Sequence, residues 1–258
     1  MIDIIIDLLY FFHIGDDFRC PDLFHCKSAS FCLPLDLLCD GIHHCPLGDD
    51  EEFCNKSCPV ECSCMAQIVS CREKELNDVP LIEEDARLLD LQYNFIGNLT
   101  NSSFYKLHNL FELYLAHNSL GEIDRGYFWG LFNLEILDIS FNEIEIVRRE
   151  SFVGLRKLKQ LLMTGNRIAE IEPDAFVDLD SVTDLDLSKM FIENIPSLLF
   201  SPMKSLSNLD LSSNYIVRLE SDFVLGLQNL RSMLLQENEI RIYDKADFAS
   251  LENLELLH

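Results

Sequence analysis

The chain has 258 residues and a formal net charge of −24, from 44 acidic and 20 basic side chains. This excess of acid excludes an obvious nucleic-acid-binding protein, because neutralising phosphates requires clustered cations. Apolar residues make up 48% of the chain, and ten glycines and eight prolines are too few for a disordered or collagen-like architecture. All ten cysteines lie between residues 20 and 71, so we predict two different kinds of folding unit in one chain.

The N-terminal residues and the cysteine density point to the secretory route. Residues 1–15 are largely apolar and are predicted to be a signal peptide, although they contain Asp3 and Asp7 and lack basic residues and a small-residue cleavage site. A wrongly assigned start is the alternative. The cysteine density requires an oxidising compartment, and three acceptor sequons for N-glycosylation fit the same route. The three sequons begin at Asn55, Asn98 and Asn101.

Six cysteines interleaved with acidic residues form the first predicted unit, residues 20–54. They are Cys20, Cys26, Cys32, Cys39, Cys45 and Cys54. A segment of this length has little core beyond Phe24, Phe31 and Leu33, so disulfides and a hard cation are the available sources of stability. The cysteine spacing, with the segments Cys39-Asp-Gly and Asp49-Asp-Glu, resembles the LDL-receptor class A module.

That resemblance implies three disulfides and one calcium site. The disulfides would be Cys20–Cys32, Cys26–Cys45 and Cys39–Cys54. The calcium ligands would be the side chains of Asp40, His44, Asp50 and Glu51 and the carbonyl groups of Leu37 and Ile42. The family normally has Asp where this chain has His44, and imidazole is a poor calcium ligand, so we expect weakened calcium binding. The alternative is a disulfide-bonded module with a solvated acidic loop and no metal.

A second cysteine cluster follows after a spacer of three residues. It contains Cys58, Cys62, Cys64 and Cys71 and leads into Leu76-Asn-Asp-Val-Pro80. Residues 58–80 resemble the N-terminal cap of an extracellular leucine-rich-repeat protein, which covers the apolar end of the first repeat. The resemblance implies the pairs Cys58–Cys64 and Cys62–Cys71. With the pairs of the first unit, these would leave no free thiol.

From residue 86 onward the sequence repeats with a period of 24 residues. The pattern Leu-x-x-Leu-x-Leu-x-x-Asn starts at positions 86, 110, 134, 158, 182, 206, 230 and 254. Its alternation predicts short parallel strands on a concave face, and therefore an α/β-type leucine-rich-repeat solenoid over residues 86–258. Further ladders of Ile or Leu and of Phe are predicted to fill the core. Met190 interrupts the Asn ladder, so we predict a locally irregular fifth turn.

The outward positions of the predicted strands would form the binding surface. They hold six acids and no Lys or Arg: Asp90, Glu112, Asp138, Asp184, Asp186 and Asp210. Apolar residues are interleaved with them: Leu88, Tyr114, Ile136, Leu162 and Leu234. This combination favours a peptide or protein ligand with basic and apolar side chains. The alternative is a solvated acidic surface that aids solubility.

One cysteine-rich module directly followed by capped repeats resembles the ectodomain of relaxin-family peptide hormone receptors, which are G protein-coupled receptors. The resemblance implies that concave acids bind arginines of a hormone and that the N-terminal module assists activation, with Leu23 and Phe24 as candidate contacts. These two residues would otherwise fill the module core. Asp210 matches a family acidic position, whereas Ser212, Leu256 and His258 do not, so relaxin itself is a doubtful ligand.

We therefore expect the extracellular ligand-binding region of a receptor for a relaxin/insulin-like hormone or a neuropeptide. Its G protein would couple through a transmembrane region absent from this chain, which ends inside the eighth repeat and is expected to be a fragment. The expected location is the extracellular side of the plasma membrane. The alternative is a secreted or single-span adhesion or matrix protein. An enzyme is disfavoured, because the sequence contains no recognisable catalytic motif.

Overall fold

The structure is a computed structural model that describes residues 24–26, 32–34, 37–52, 54, 58–220, 222–242, 248 and 250–258. The chain divides into two compact units, Met1–Lys56 and Ser57–His258. Each unit builds its core in a different way, the first around disulfides and the second around stacked repeats.

The first unit is held by disulfides around a small core. Strands β1 (Phe24–His25) and β2 (Cys32–Leu33) pair antiparallel. Disulfides join Cys26 to Cys45 and Cys39 to Cys54, which are pairs that the sequence resemblance implies. Phe24 is only 6% exposed, so it contributes to this core, and its predicted role as an exposed contact is corrected. Cys20 and its predicted bond to Cys32, and likewise Leu23, Phe31 and Asn55, lie outside the described residues.

The second unit is a solenoid whose strands stack side by side in one ten-stranded sheet. The strands of this sheet, in sequence order, are β3 (Ser63–Met65), β4 (Ile68–Ser70), β5 (Leu88–Asp90), β6 (Glu112–Tyr114), β8 (Ile136–Asp138), β10 (Gln160–Leu162), β12 (Asp184–Asp186), β13 (Asn208–Asp210), β14 (Ser232–Leu234) and β15 (Leu256–Leu257). All neighbours from β4 onward pair in parallel, and β3 pairs antiparallel with β4. The predicted parallel-strand solenoid is therefore confirmed.

The strand register follows the sequence period. Leu161 of β10 lies opposite Leu137 of β8 on one side and Leu185 of β12 on the other. These central leucines point into the solenoid and are at most 2% exposed, while their two strand neighbours point outward, because side chains alternate along a strand. Equivalent positions of successive repeats therefore form straight columns across the sheet.

A second, three-stranded parallel sheet forms within the return segments. It consists of β7 (Glu122–Ile123), β9 (Ile146–Val147) and β11 (Glu170–Ile171), in the order β11-β9-β7. The described parts of the other return segments consist mainly of turns and loops, with a helical position at Phe248. Two short strands thus alternate along the chain in three of the repeats, and the intervening turns close each coil of the solenoid.

Aromatic and aliphatic ladders fill the inside of the solenoid. The rings of Phe104, Phe128, Phe152, Phe176 and Phe200 follow one another with centroid distances of 5.8 to 6.4 Å. All five side chains are at most 2% exposed. Burying a phenylalanine contributes roughly 2 to 3 kcal/mol relative to leaving it in water, so this ladder is a major source of stability. Its role in the core is the one predicted from the sequence.

The Asn ladder joins successive coils. Asn118 donates from Nδ2 to the carbonyls of Leu91 and Leu115, and its Oδ1 accepts the N–H of Ile96 at 3.0 Å. Asn142, Asn166, Asn214 and Asn238 repeat these bonds to their own neighbours. Buried backbone groups at the strand ends are satisfied in this way.

The fifth turn keeps the backbone hydrogen bond of its neighbours, whereas Met190 has no side-chain amide for the ladder bonds, and the three-stranded sheet ends at β11, before the return segment of this repeat. Lys189 N–H donates to the Ser212 carbonyl as His117 N–H does to Ser140 in an Asn-containing turn. Lys189 also has the same positive φ, 55° against 56° for His117. Met190 is 2% exposed and fills the space with apolar atoms, so packing from both neighbouring coils keeps the turn in place.

The cap closes the first end of the solenoid. Disulfides join Cys58 to Cys64 and Cys62 to Cys71, the pairs that the resemblance to a repeat cap implies. Cys71 is fully buried, and Val69 of β4 belongs to the same core cluster as the first repeat. The hairpin β3–β4 thus continues the sheet and covers the apolar edge of β5.

Candidate functional site

A column of four carboxylates crosses the concave face. Asp90, Asp138, Asp186 and Asp210 occupy the same position of β5, β8, β12 and β13, between the two inward-pointing leucines of each repeat. We call this set the acid column. Tyr114 and Leu162 occupy the same position in β6 and β10. Neighbouring strands in a sheet are about 4.8 Å apart, so Asp186 and Asp210 are the closest pair of the column.

Each carboxylate of the acid column is fixed by the backbone two residues later. The Oδ1 atoms accept the N–H groups of Gln92, Ser140, Ser188 and Ser212 at 2.8 to 2.9 Å. The local sequence Asp-x-Ser or Asp-x-Gln therefore orients the side chain before any ligand arrives. One oxygen is held by this bond, and the carboxylate still carries its negative charge toward the concave face.

Three of these carboxylates have raised pKa values. Burial raises the pKa of Asp90, Asp138 and Asp186, because a low-dielectric environment disfavours the charged form. The negative charge of Asp210 raises the pKa of Asp186 further, and that of Asp138 does the same for Asp90. Hydrogen bonds from the following backbone oppose the shift without cancelling it. A cation placed beside Asp186 and Asp210 would relieve both their repulsion and their desolvation.

A fifth acid completes the densest charge cluster. Asp184 lies two residues before Asp186 on the same outward face of β12. Its Oδ1 accepts a hydrogen bond from Asn208 Nδ2 at 2.6 Å, and its Oδ2 accepts one from the Thr183 hydroxyl at 2.7 Å. The predicted residues Asp184, Asp186 and Asp210 therefore converge on two neighbouring strands.

Glu112, the sixth predicted acid, and Asp90 of the acid column are engaged with neighbours. Glu112 accepts the hydroxyl hydrogen bond of Tyr114 at 2.7 Å. The Arg72 guanidinium from the cap lies 3.9 Å from the Asp90 carboxylate and donates to the Gln92 side chain at 2.6 Å. Arg72 is not on a repeat strand, so counting outward strand positions could not find it. The negative field is therefore strongest toward Asp186 and Asp210.

The apolar residues of the face differ in how much surface they offer. Leu88, Tyr114, Ile136 and Leu162 are half-buried between the acids. Leu234 is only 7% exposed although it lies outside the main core cluster, so its prediction as an exposed contact is corrected. Leu234 therefore offers little surface to a ligand.

An aromatic column borders the acid column and was missed in the sequence. Tyr93, His117 and Phe141 directly precede the ladder asparagines, and their rings stack with centroid distances of 4.2 and 4.7 Å. The Arg72 guanidinium lies 4.4 Å from the Tyr93 ring centre. At the other end the Phe141 ring lies over Gly165, where a Cβ atom would approach it to 2.5 Å. The sequence signal for this column was an aromatic or His residue directly before the ladder Asn, repeated every 24 residues.

The acidic loop of the first unit contains the predicted calcium ligands. His44 Nε2 lies 3.0 Å from Asp40 Oδ2, and the His44 N–H donates to Asp50 Oδ2. Asp50 is fully buried, and its Oδ1 and the Oε1 of Glu51 are buried without a hydrogen-bond partner. Such oxygens suit a hard cation. Leu37 and Ile42 are the two residues whose carbonyl groups are predicted to bind calcium. The Ile42 N–H donates to Asp40 Oδ1 at 2.8 Å, and the Leu37 N–H donates to the Pro34 carbonyl at 3.0 Å.

The loop as it stands is not a closed metal site. Within the described residues, no group of three or more His, Cys, Asp or Glu side chains is arranged to hold a metal ion. The hydrogen bond from His44, followed by the backbone bond from Ile42, lowers the pKa of Asp40. Burial raises the pKa of Asp50, but hydrogen bonds from the backbone of His44 and Cys45 outweigh it and lower that pKa overall. Both carboxylates are thus held in the charged form that calcium requires.

Family models match both units of the chain. The low-density lipoprotein receptor domain class A matches residues 18–54. The leucine rich repeat model matches overlapping segments from residue 86 to residue 258. The chain belongs to the leucine-rich repeat family. This leucine-rich-repeat chain carries its class A module on the N-terminal side of the repeats. The acids of the concave site lie on the strands of the repeats.

Two relaxin receptors are among the similar proteins. Relaxin receptor 1 of Rattus norvegicus is 28% identical over 41% of this chain and 19% of the receptor. Relaxin receptor 2 of Canis lupus familiaris is 30% identical over 36% of this chain and 16% of the receptor. The matched part thus spans less than a fifth of either receptor. The crystal structure of a TLR13-ssRNA13 complex has a TM-score of 0.59 and 29% identity, covering 66% of this chain and 28% of that one.

None of the helices in the described part of this leucine-rich-repeat chain is both long and apolar enough to span a bilayer. The sequons at Asn98 and Asn101 both lie on exposed turns of the first repeat, after β5. Asn98 borders a groove with Glu122 and Glu145, whereas Asn101 borders a separate groove with Arg125 and Trp129.

Proposed function

We propose that this chain is the extracellular ligand-binding region of a relaxin-receptor-like G protein-coupled receptor. It binds a basic peptide hormone or neuropeptide on its concave face and acts by binding, not by catalysis. The observation that carries the proposal is the convergence of Asp184, Asp186 and Asp210 on two neighbouring strands. Similarity of part of the chain to relaxin receptors 1 and 2 supports the class of protein.

The geometry favours arginine side chains as the partners. Two carboxylates on strands about 4.8 Å apart match two cationic groups one helical turn apart on a ligand helix, which are about 5 to 6 Å apart at Cβ. The guanidinium group pairs with carboxylates through two parallel hydrogen bonds, which suits aspartates already oriented by the backbone. Apolar ligand side chains would meet Leu162 on one side and the aromatic column of Tyr93, His117 and Phe141 on the other.

The test is binding of a synthetic amphipathic helical peptide with two arginines one turn apart, measured by surface plasmon resonance on the secreted chain. We expect Asp184→Asn/Asp186→Asn/Asp210→Asn to weaken binding at least about tenfold, because each change removes a charge in a partly desolvated face. Asparagine keeps the oxygen that accepts the backbone N–H, so the temperature of thermal unfolding should not fall.

The matched control removes three carboxylates from another surface. Glu145, Glu170 and Glu193 are exposed and lie outside the strands of the concave sheet. The triple Gln variant loses the same net charge and should bind the peptide like the wild type. Equal weakening in both triple variants would attribute binding to net charge alone and overturn the site. A peptide with glutamines in place of arginines should bind neither protein.

We infer further that the first unit binds one calcium ion through Asp40, Asp50 and Glu51, with His44 weakening the site. The buried partnerless oxygens of Asp50 and Glu51 support this inference. We expect calcium at about 1 mM to slow reduction of Cys39–Cys54 by dithiothreitol, because the ligands lie on or beside the loop that this bond closes. Reduction of Cys62–Cys71 in the cap is the internal control. A calcium effect that persists in Asp50→Asn/Glu51→Gln, or none in the wild type, would refute the site.

A further inference from the structure

The convex side carries an aromatic surface that the concave site does not use. Trp129, the single tryptophan of the chain, is 52% exposed. Its ring meets the Phe132 ring edge to face at 5.5 Å, and Phe132 in turn stacks on His108 at 5.5 Å. His108 Nδ1 is hydrogen-bonded to the Gly130 carbonyl at 2.9 Å. The tryptophan is therefore held in a fixed orientation at the surface.

A sequon asparagine lies in the same groove as this tryptophan. Asn101, Arg125, Gly126, Trp129 and Val153 line one open groove between the first three repeats. The Asn101 amide lies against Gly126, where a Cβ atom would approach Asn101 Oδ1 to 2.9 Å and Nδ2 to 3.3 Å. Gly126 has a φ of 88°, so glycine is required there for its backbone as well. The backbone thus leaves room for the asparagine side chain inside the groove.

We propose that Asn101 carries an N-linked glycan whose first N-acetylglucosamine lies over the exposed face of Trp129. The Asn101-Ser-Ser103 sequence supplies the acceptor. In the transfer, Asn101 Nδ2 forms a bond to C1 of a lipid-pyrophosphate-linked oligosaccharide. The C1–O bond to pyrophosphate breaks, the lipid pyrophosphate leaves with the electron pair, and one amide proton passes to a base of the transferase.

Two features favour a glycan as the occupant of this groove. The occupant is covalently attached to a residue of the groove wall, so it requires no separate association step. The C–H face of a pyranose ring packs on an indole face, while the sugar hydroxyls remain in water, so half-exposed aromatic surface is removed without burying polar groups. The convex flank would then be closed to other macromolecules, which leaves the concave face as the route for the peptide.

The neighbouring sequon provides a contrast within the same turn. Asn98 lies in the other groove, beside the carboxylates of Glu122 and Glu145. A glycan on Asn98 would have no tryptophan in its own groove. The proposal therefore separates two asparagines only three positions apart in the sequence.

The single tryptophan gives a direct test on the full chain secreted from eukaryotic cells. Peptide mass analysis should find a hexosamine-containing glycan on Asn101. In acrylamide quenching of Trp129 fluorescence, Asn101→Gln and Ser103→Ala should both raise the quenching constant roughly twofold, because the sugar covers about one of the two ring faces. Asn98→Gln, and Ser103→Thr, which keeps the acceptor hydroxyl, should leave the constant at its wild-type value.

A measurement without the Asn101 and Ser103 substitutions guards against misfolding. Peptide N-glycosidase treatment of a folded Asn55→Gln/Asn98→Gln protein removes only the Asn101 glycan of the three sequons, and it should raise the quenching constant by the same factor. An unmodified Asn101, or a modified Asn101 whose removal leaves quenching unchanged, overturns the proposal.

Discussion

At the scale of the residue, the acid column balances two opposing requirements. Its aspartates must be charged to bind a cation, yet burial disfavours that charge at Asp90, Asp138 and Asp186. The backbone N–H two residues later offsets part of the cost and fixes the carboxylate direction. In the charged form that can bind a cationic ligand, these aspartates therefore slightly lower the stability of the ligand-free protein.

This balance predicts a pH dependence of stability with a defined sign. A folded pKa above the ordinary 3.8 means that the folded chain holds more protons than the unfolded chain, so stability falls as pH rises from about 3.8 through the folded pKa of Asp186. Asp186→Asn removes this titration and keeps the acceptor for Ser188. Urea unfolding from pH 4 to 7 should therefore show a smaller loss of stability with rising pH in the variant than in the wild type.

The second aspartate with the same backbone bond provides the check. Asp138→Asn should reduce the pH dependence in the same direction, because burial is the leading cause of its raised pKa as well. Acids that do not interact with Asp138 or Asp186 titrate equally in wild type and variants, so they cancel in the difference. A wild-type pH profile retained by both variants would contradict the prediction.

At the scale of the element, the turns after the strands are joined both by backbone hydrogen bonds and by asparagine side chains. Asn142 donates to the carbonyls of Leu115 and Ile139 and accepts the N–H of Leu120 at 3.1 Å. Its removal would leave buried backbone groups of two coils without partners. Met190 shows that one coil tolerates such a loss when an apolar side chain fills the space.

We expect Asn142→Ala to destabilise the solenoid by about 3 kcal/mol, because alanine neither replaces the hydrogen bonds nor fills the volume. Asn109→Ala is the matched control, since Asn109 is exposed and its side-chain amide donates a hydrogen bond to the Glu84 carbonyl at 3.1 Å. It should change stability by less than about 0.5 kcal/mol. Urea unfolding followed by circular dichroism measures both. Similar losses in the two variants would show that burial of the ladder is unimportant.

At the scale of the whole molecule, two stabilisation strategies divide the chain. The cysteine-rich unit relies on disulfides around Phe24 and Leu33, whereas the solenoid relies on columns of identical positions. Each unit carries a cluster of acidic side chains, one in a loop and one across a sheet. The chain charge of −24 thus reflects two separate sites and many exposed acids, rather than a uniform coat.

The sequence by itself determined the repeat, the strand positions and the columns. A period of 24 residues with alternating leucines specifies which side chains point inward, because alternation is a local property of a strand. The acids at Asp186 and Asp210 could therefore be placed on one face without coordinates. The implied cysteine pairs of the cap and two pairs of the first unit also match the described bonds.

Only the tertiary structure decided contacts between residues that occupy different repeat positions. It brought Arg72 of the cap to Asp90, stacked His117 between Tyr93 and Phe141, and covered Leu234. It also kept the backbone hydrogen bond of the turn at Met190 and placed Asn101 in the groove of Trp129. These outcomes depend on how side chains of neighbouring coils pack against each other. The repeat pattern determines the strand position and the face of each side chain, but its contacts and its exposure depend on packing against particular neighbours.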